Sequence, residues 1–291
     1  MKPLIGFFFK VVSFFISHLP YCLQKALGWC LGTLWFDILR IRRQVAVDNV
    51  GIAFPHLSLK ERTKMARASI LHMGLSLIEY ADFPFLQMDD LEKRFVFEGR
   101  ENIVESLRQG KGVLFMTLHL GNGDMAIAGL SLEGWPVHLI SKEFRAKWLN
   151  DLWFGMRGRL GTKFISPEKS TFDILRALRK NEIVIFVLDQ FMGPPIGVRT
   201  QFFGRETGTA AGLAYIAGRT GAPVIPCYTY RRYDGKNVMV FEKPIPFLDD
   251  GPRDKNISVM TQKYTDKIEE IVRKYPEQWM WIHRRWKEFR E

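Results

Sequence analysis

The segment Val113-Leu-Phe-Met-Thr-Leu-His119-Leu-Gly-Asn-Gly-Asp124 decides the fold of this chain. Its first six residues favour a strand, and their nearly unbroken apolar character is typical of a strand covered on both faces in a parallel sheet. A histidine and a glycine-containing loop follow, and Asp124 opens an apolar run at 125–130 that predicts a helix. The segment therefore predicts a strand, a tight loop and a helix.

The same segment carries a candidate catalytic pair, His119 and Asp124. Gly121 and Gly123 let the backbone double back, so that the two side chains can meet. A carboxylate on one ring nitrogen fixes the tautomer and stabilises the imidazolium, and the other nitrogen can then take a proton from a hydroxyl. This pair predicts acyl transfer to an alcohol, with Asn122 and loop N–H groups near the oxyanion. The alternative is that Asp124 only caps the helix.

Length and composition limit the class of protein. The 291 residues suit one large α/β domain with or without an appendage, and 47% hydrophobic residues can form a sizeable core. The formal net charge of +11 favours anionic partners: nucleic acid, an acidic protein or a phospholipid surface. The three cysteines have no metal-ligand spacing and indicate a reducing compartment without a disulfide framework.

Residues 1–39 are predicted to form an apolar membrane-associating segment, ahead of a catalytic domain at 40–291. The longest uncharged stretch, 11–24, is shorter than the ~20 residues that a simple membrane span needs. Helices lying in the interface, or one tilted span with snorkelling lysines, both fit this pattern, and a buried helix pair is the alternative. Arg40, Arg42 and Arg43 follow and favour the cytoplasmic face of a membrane.

The rest of the chain alternates between strand and helix patterns. Ser58 and Glu61 have the spacing of a capping box that opens a helix reaching about Tyr80. The predicted strands are 95–97, 113–118, 137–141, 183–188, 224–230 and 238–242, and the other predicted helices are 45–54, 101–109, 146–160, 171–180, 210–220 and 258–275. This alternation predicts an α/β fold with one mainly parallel central sheet flanked by helices.

Four stretches, in order along the chain, resemble the bacterial lipid A late acyltransferase family (the lauroyl and myristoyl transferases), within the wider glycerolipid acyltransferases. The match covers nearly the whole chain, and the last stretch is the most specific. The stretches are Arg43-Gln-Val-Ala-Val-Asp-Asn49 with Ala53-Phe-Pro55 and Ser58; His119 and Asp124; Asp189-Gln-Phe-Met-Gly193 with Phe202-Phe-Gly204 and Thr220-Gly-Ala-Pro-Val-Ile-Pro226; and Pro276-Glu-Gln-Trp-Met-Trp-Ile-His-Arg-Arg-Trp286.

The resemblance implies an acyl group carried by acyl carrier protein, with acyl-CoA as the alternative donor, and its transfer to a hydroxyl of a lipid A precursor. It places the reaction at the cytoplasmic face of the inner membrane and implies neither metal nor organic cofactor. The family often has an arginine where this chain has Lys142, which keeps the charge but loses bidentate binding. A lysophospholipid, an ornithine lipid or a glycolipid mannoside therefore stays open as the acceptor.

Other classes of function are weighed against this one. A lipid thioesterase or hydrolase would use water in place of the acceptor, although the chain has no Gly-x-Ser-x-Gly elbow. A non-catalytic lipid-binding protein would tolerate replacement of His119 and Asp124. Nucleic-acid binding is disfavoured, because the basic residues accompany an apolar N-terminus rather than a nucleic-acid-binding motif.

Further substrate-binding residues are predicted outside the histidine segment. Lys142 and Arg145 are candidates for an anionic head group, with a solvated basic surface as the alternative. Asp189 ends an apolar strand, as His119 does, and parallel sheets bind ligands beyond the carboxyl ends of their strands; the alternative is a turn-initiating aspartate. Gly204 and Thr207 lie in a segment rich in glycine and threonine ahead of a helix, where N–H groups can hold phosphate.

Two basic groups are assigned to surfaces. Arg157 and Arg159 lie in a tryptophan-containing helix, where they can dock the acidic carrier protein or contact the membrane. His283, Arg284 and Arg285 are assigned to packing and to membrane-side charge.

Overall fold

The computed structural model describes residues 2–167 and 170–290. The strands are β1 (Phe95–Glu98), β2 (Val113–Thr117), β3 (Val137–Ile140), β4 (Lys163–Ile165), β5 (Ile183–Val187), β6 (Gly197–Phe202), β7 (Arg205–Ala210), β8 (Val224–Arg231) and β9 (Asn237–Phe241). Within the described residues, seven of them form one sheet in the order β1-β9-β8-β2-β5-β3-β4, and β6 and β7 form an antiparallel hairpin.

The helices alternate with the strands after a helical N-terminal third. They are α1 (Lys2–Ser17), α2 (Tyr21–Thr33), α3 (Arg43–Ala53), α4 (Leu59–Glu79), α5 (Leu91–Arg94), α6 (Arg100–Leu107), α7 (Gly123–Leu132), α8 (Lys147–Arg159), α9 (Ser170–Arg179), α10 (Gly212–Thr220) and α11 (Arg253–Lys274). A π-helical turn, Leu34–Leu39, continues α2. The predicted capping box is present at the start of α4, where the Ser58 hydroxyl accepts from the Glu61 N–H.

The central sheet is mainly parallel, as predicted. Strands β8, β2, β5, β3 and β4 run in the same direction, whereas β9 is antiparallel to β8 and β1 is parallel to β9. In the β2–β5 pair, Thr117 lies opposite Val187. This register brings the residues that follow these two strands to the same point of the sheet edge.

Both faces of the sheet are covered, so the central strands β2 and β5 are buried except at their last residue. Alternate side chains of β2, such as Leu114 and Met116, pack with α3, α4, α10 and α11 on one face. Val113 and Phe115 point to the other face, where α6 and α7 cover them. The nearly unbroken apolar runs of β2 and β5 follow from this double coverage.

The N-terminal helices combine a packed face with an exposed apolar one. An added Cβ at Gly28 would meet the Leu75 backbone at 2.5 Å, so the glycines of α2 let it lie directly against α4. In the preceding helix α1, the side chains of Phe7, Phe8 and Phe15 are about two-thirds exposed. Across 2–167 and 170–290, no helix has the length and apolar character that crossing a membrane requires. The tilted span that the sequence also allowed is not observed. The division of the chain at residue 39, between a membrane-associating segment and a catalytic domain, stays a prediction.

Several short elements differ from the prediction. The short edge strand β4 has only one apolar residue buried, Ile165, so no apolar pattern marked it. The segment containing Gly204 and Thr207 forms the turn and second strand of the β6–β7 hairpin instead of a phosphate-binding loop. Helix α10 begins only at Gly212, after β7 has ended.

Candidate active site

A cleft of about 510 Å³ opens at the carboxyl ends of β2, β3 and β5. Its lining includes the end of β2, the loop to α7 and the first turn of that helix. The polar side chains along it belong to Ser76, Tyr80, Thr117, His119, Asn122, Asp124, Ser141, Lys142, Gln190, Thr229 and Gln278. The cleft thus lies where a parallel α/β sheet commonly binds its ligand.

His119 is held by Asp189. Its Nδ1 lies 2.8 Å from Asp189 Oδ1, and its backbone N–H donates to Asp189 Oδ2 at 2.9 Å. Asp189 is buried, whereas 38% of the His119 side chain is exposed. Since an ionised carboxylate only accepts, Nδ1 carries the hydrogen and Nε2 is the nitrogen able to take a proton.

The C-terminal stretch completes this arrangement. Trp279 Nε1–H donates to Asp189 Oδ2 at 2.8 Å, so the carboxylate accepts three N–H groups. The Met280 N–H donates to the His119 carbonyl, and the Gly121 N–H donates to the Gln278 carbonyl, both at 3.1 Å. Gly121 has φ +58, and a Cβ there would lie 2.5 Å from a backbone oxygen, so only glycine fits this turn.

The electrostatics of the pair favour a basic imidazole. Burial opposes the charged form of His119, but the Asp189 carboxylate and its hydrogen bond outweigh burial and raise the pKa of His119 above 6.5. Burial likewise opposes the anionic form of Asp189. The charge of His119 and the N–H donors of His119 and Trp279 prevail, and they lower the pKa of Asp189 to about 2. The pair therefore consists of an ionised carboxylate and a histidine whose pKa is raised by that carboxylate.

Asp124 has different partners from those predicted. Tyr80 OH donates to its Oδ2 at 2.6 Å, and Arg157 Nη2 lies 2.7 Å from its Oδ1. No hydrogen bond between His119 and Asp124 occurs among the described residues, although both line the cleft. The first turn of α7 directs Asp124 towards the Arg157 guanidinium, which is buried and requires a counter-charge. The expectation that Asp124 orients the imidazole is therefore corrected, and Asp189 makes that contact.

Arg157 is not a surface docking residue, whereas Arg159 is exposed. Arg157 is buried and stacks 3.7 Å from the centroid of the Trp153 ring. Arg159 Nη2 donates to the carbonyls of Phe83 and Leu86. Both arginines hold α8 against the neighbouring segments, and Arg157 places a positive charge beside the cleft.

Asn122 also has a different role from the predicted oxyanion contact. Its Oδ1 accepts from the Met125 N–H and caps α7, while its Nδ2 donates to Glu79 Oε2 at 2.7 Å. Glu79 in turn pairs with Arg231, and both side chains are buried. Because both the oxygen and the nitrogen of its side-chain amide are hydrogen-bonded within the protein, Asn122 fixes the loop that carries His119.

The other predicted substrate-binding residues divide between the cleft and the rest of the molecule. Lys142 lines the cleft, whereas Arg145 is exposed on the loop that follows β3. Gly204 lies in the β6–β7 turn, and Thr207 is fully buried and donates to the Arg285 carbonyl at 2.6 Å. Gly204 and Thr207 are therefore not part of this site.

The interior of the cleft is apolar. It passes between α7 and the sheet, where it is lined by Ile127, Leu139, Ile185, Val187, Cys227 and Met239. These side chains belong to the core on that face of the sheet. The site therefore combines a polar mouth with a hydrophobic interior, as a ligand with a reactive head and a hydrocarbon chain requires.

Sequence comparisons identify relatives over nearly the whole length. The family model described as bacterial lipid A biosynthesis acyltransferase matches residues 2–288. The lipid A biosynthesis palmitoleoyltransferase of Escherichia coli K12 is 29% identical over 280 residues, which cover 93% of this chain and 87% of that protein. The lauroyltransferase of the same organism is 28% identical over 286 residues, 95% and 89% of the two chains. A phosphatidylinositol mannoside acyltransferase of Mycolicibacterium smegmatis is 25% identical over 190 residues, 64% and 60% of the two chains.

Proposed function

The chain belongs to the bacterial lipid A biosynthesis acyltransferase family, and from that premise we propose that it moves a fatty acyl chain from acyl carrier protein to a hydroxyl of a lipid A precursor, with His119 as the general base. The observation that carries the proposal is the His119–Asp189 pair at the mouth of an apolar cleft. The pair supplies a proton acceptor, and the interior accommodates a hydrocarbon chain.

The proposed reaction begins when the acceptor hydroxyl gives its proton to His119 Nε2 and its oxygen attacks the thioester carbonyl. The buried Asp189 carboxylate stabilises the imidazolium that forms, through the hydrogen bond at Nδ1. The first turn of α7 lines the cleft and offers N–H groups and the positive end of the helix dipole to the oxyanion. When the carbon–sulfur bond breaks, the imidazolium returns the proton to the leaving thiolate.

Asp124 and Arg157 are assigned to substrate placement. Their ion pair lies in the first turn of α7 and beside Trp153, which also lines the cleft. Lys142 adds a positive charge on the same rim, suited to the phosphate of a lipid head group. These charges orient the acceptor, while His119 and Asp189 carry out the proton transfer.

The proposal includes association with an anionic membrane surface. Exposed apolar side chains at Phe7, Phe8, Phe15 and Ile38 combine with exposed basic ones that follow the π-helical turn. Aromatic and basic residues together favour the membrane interface. Co-flotation with phosphatidylglycerol-containing vesicles is the expected result, and it should weaken when the phenylalanines are replaced by aspartate. Equal flotation of the variant would contradict this part of the proposal.

The test is a transfer assay with purified protein, defined acyl-carrier thioesters and a lipid A precursor, with the lipid product weighed by mass spectrometry. The expected product is the acceptor plus one acyl chain, and His119→Ala should lower the rate by ~10²- to 10⁴-fold. Transfer at the wild-type rate by this variant would reject His119 as the base. A product only with a mannoside or lysophospholipid would change the acceptor, and thioester loss without acceptor would indicate a thioesterase.

A further inference from the structure

Arg285 is a buried cation that contacts the turn after Asp189. Only 1% of the residue is exposed. Its Nη1 donates to the Gln190 carbonyl and the Thr207 hydroxyl, both at 3.3 Å, and to the Gly208 carbonyl; its Nη2 donates to Thr209 Oγ1 at 2.6 Å. The plane of the guanidinium also lies near the Phe202 ring, 5.0 Å from its centroid. All of these partners are neutral.

Packing alone does not account for this charge. No carboxylate among the described residues lies within ion-pair distance of Arg285, and its Nε has no hydrogen-bond partner there. Taking a charge out of water is costly, and apolar side chains of similar volume commonly fill such positions at lower free energy. The Asp189 carboxylate acts on Arg285 through space and favours its charged form.

One hydrogen bond of Arg285 reaches the turn that carries Asp189, and the other three hold its side chain to β7. Gln190 is the next residue after Asp189 and lines the cleft. The neighbouring His283 supports the same turn, since its Nε2 accepts from the Phe191 N–H at 3.2 Å. Thr207 returns a hydrogen bond to the Arg285 carbonyl at 2.6 Å, so side chain and backbone are fixed together. Arg285 thus links β7, the C-terminal stretch and the turn after β5.

We propose that Arg285 is a positioning residue for acyl transfer, which holds the Asp189 turn against His119 and supplies the buried positive charge that balances this carboxylate. The inference rests on the proposed role of His119 as the base. The charged and titratable groups around this site are Asp189, which is hydrogen-bonded to His119, Asp124, which acts on His119 through space, and His283 and Lys287 in the C-terminal stretch. Without the positive charge of Arg285, the negative charges of Asp189 and Asp124 are less compensated. The pKa of His119 should therefore rise.

The experiment compares Arg285→Met with Arg285→Lys over a pH series of kcat/KM in the transfer assay. The methionine variant should lose about 10- to 100-fold in kcat, because the Asp189 turn is less well fixed. The acid limb of its pH profile, which is the fall of kcat/KM at low pH, should also move to higher pH, because the positive charge of Arg285 no longer opposes protonation of His119. The lysine variant should keep the wild-type limb but recover only part of kcat, since one ammonium cannot reach all four acceptors. Thermal unfolding verifies that each variant is folded, and Arg285→Gln replaces the methionine variant if that one does not fold.

The matched control is Lys267→Met on α11, which also removes one partly buried cation, here paired with Glu242 and Glu270. It should leave both the rate and the acid limb unchanged. A folded Arg285→Met or Arg285→Gln variant with the wild-type limb would overturn the role of Arg285. The outcome is separable from the proposed function: full activity of His119→Ala rejects the base itself, whereas an inactive His119→Ala beside an unaffected Arg285→Met rejects only the positioning role.

Discussion

The two aspartates at the mouth of the cleft have opposite surroundings. Asp189 follows β5, is buried and accepts three N–H groups, two from His119 and one from Trp279. Asp124 is five residues from His119 in sequence and a quarter exposed, and it binds a phenol and a guanidinium. Asp124, which is near His119 in sequence, binds side chains in the wall of the cleft. Asp189, which is distant in sequence, binds the histidine.

The register of the sheet explains this difference. Thr117 pairs with Val187 across β2 and β5, so His119 and Asp189 are each two residues beyond a paired position and emerge side by side. Asp124 has already entered α7, whose first turn points it at the buried Arg157. Spatial neighbours at the end of a parallel sheet are therefore set by strand pairing and only weakly by separation along the chain.

The largest effect that tests this comparison is expected from Asp189→Asn. The amide cannot stabilise the imidazolium or enforce its tautomer, so kcat should fall roughly 10²- to 10⁴-fold. The acid limb of kcat/KM should move to lower pH, because the carboxylate that raises the pKa of His119 is lost. Steady-state kinetics over a pH series, with the acceptor varied from subsaturating to saturating, measures both effects.

The matched control is Asp234→Asn, an exposed aspartate whose pKa is also lowered to about 2, by hydrogen bonds from Arg232 and from the Lys236 backbone. It should leave the rate and its pH dependence unchanged. If Asp189→Asn behaves like this control, the His119–Asp189 contact has no part in the reaction.

The wild-type pH dependence gives the next largest effect. A general base must be neutral, so kcat/KM should fall about tenfold for each pH unit below the pKa of His119. That pKa lies above 6.5 in the folded protein. Stability should change in the opposite direction: the contribution of His119 is complete below about pH 6.5 and is lost as pH rises through the raised pKa. Activity that stays level well below pH 6 would contradict a histidine base.

Much of the fold follows from local patterns, because apolar runs mark buried strands and capping residues mark helix starts. Val113 to Leu118 and Ile183 to Leu188 both predicted strands, and the structure confirms β2 and β5 there. The partner of His119 depends on which strands are neighbours, which no local pattern contains. One signal was available: His119 and Asp189 each stand six residues after the first residue of their strand. Equal offsets from two adjacent parallel strands predict side-by-side residues.

The role of Arg157 could not be predicted for a related reason. A basic residue in a helix normally faces water, and the basic, tryptophan-containing character of the helix predicted that Arg157 docks the carrier protein or contacts the membrane. The structure buries it because Asp124 of α7 and Tyr80, which follows α4, enclose it together with Trp153 of its own helix. Such a pocket exists only after the chain has folded.

Asp124→Asn should have a smaller effect than Asp189→Asn. Loss of the ion pair leaves the Arg157 charge without its partner, and kcat/KM should fall about 10- to 100-fold because the acceptor is less well placed. The acid limb should move little, since Asn at 124 leaves the hydrogen bond at Nδ1 intact. Steady-state kinetics with varied acceptor should show the loss mainly in KM. A larger fall in kcat than Asp189→Asn produces would reverse the comparison and assign the orienting role to Asp124.

The smallest effect is expected in the apolar interior, where Met239→Ala should change which chain is transferred. Removing this side chain lengthens the space between α7 and the sheet, so preference should move towards longer acyl chains, by about tenfold for a difference of one or two methylenes. Met260→Ala is the matched control, since Met260 is equally buried but lies in the core on the opposite face. Both variants should lose stability, by roughly 2–5 kcal/mol, yet only Met239→Ala should change the chain-length profile. Competition among acyl-carrier thioesters of different lengths measures that profile. Identical profiles for the two variants would mean that the acyl chain lies elsewhere, and that the polar mouth and the apolar interior do not bind the same substrate.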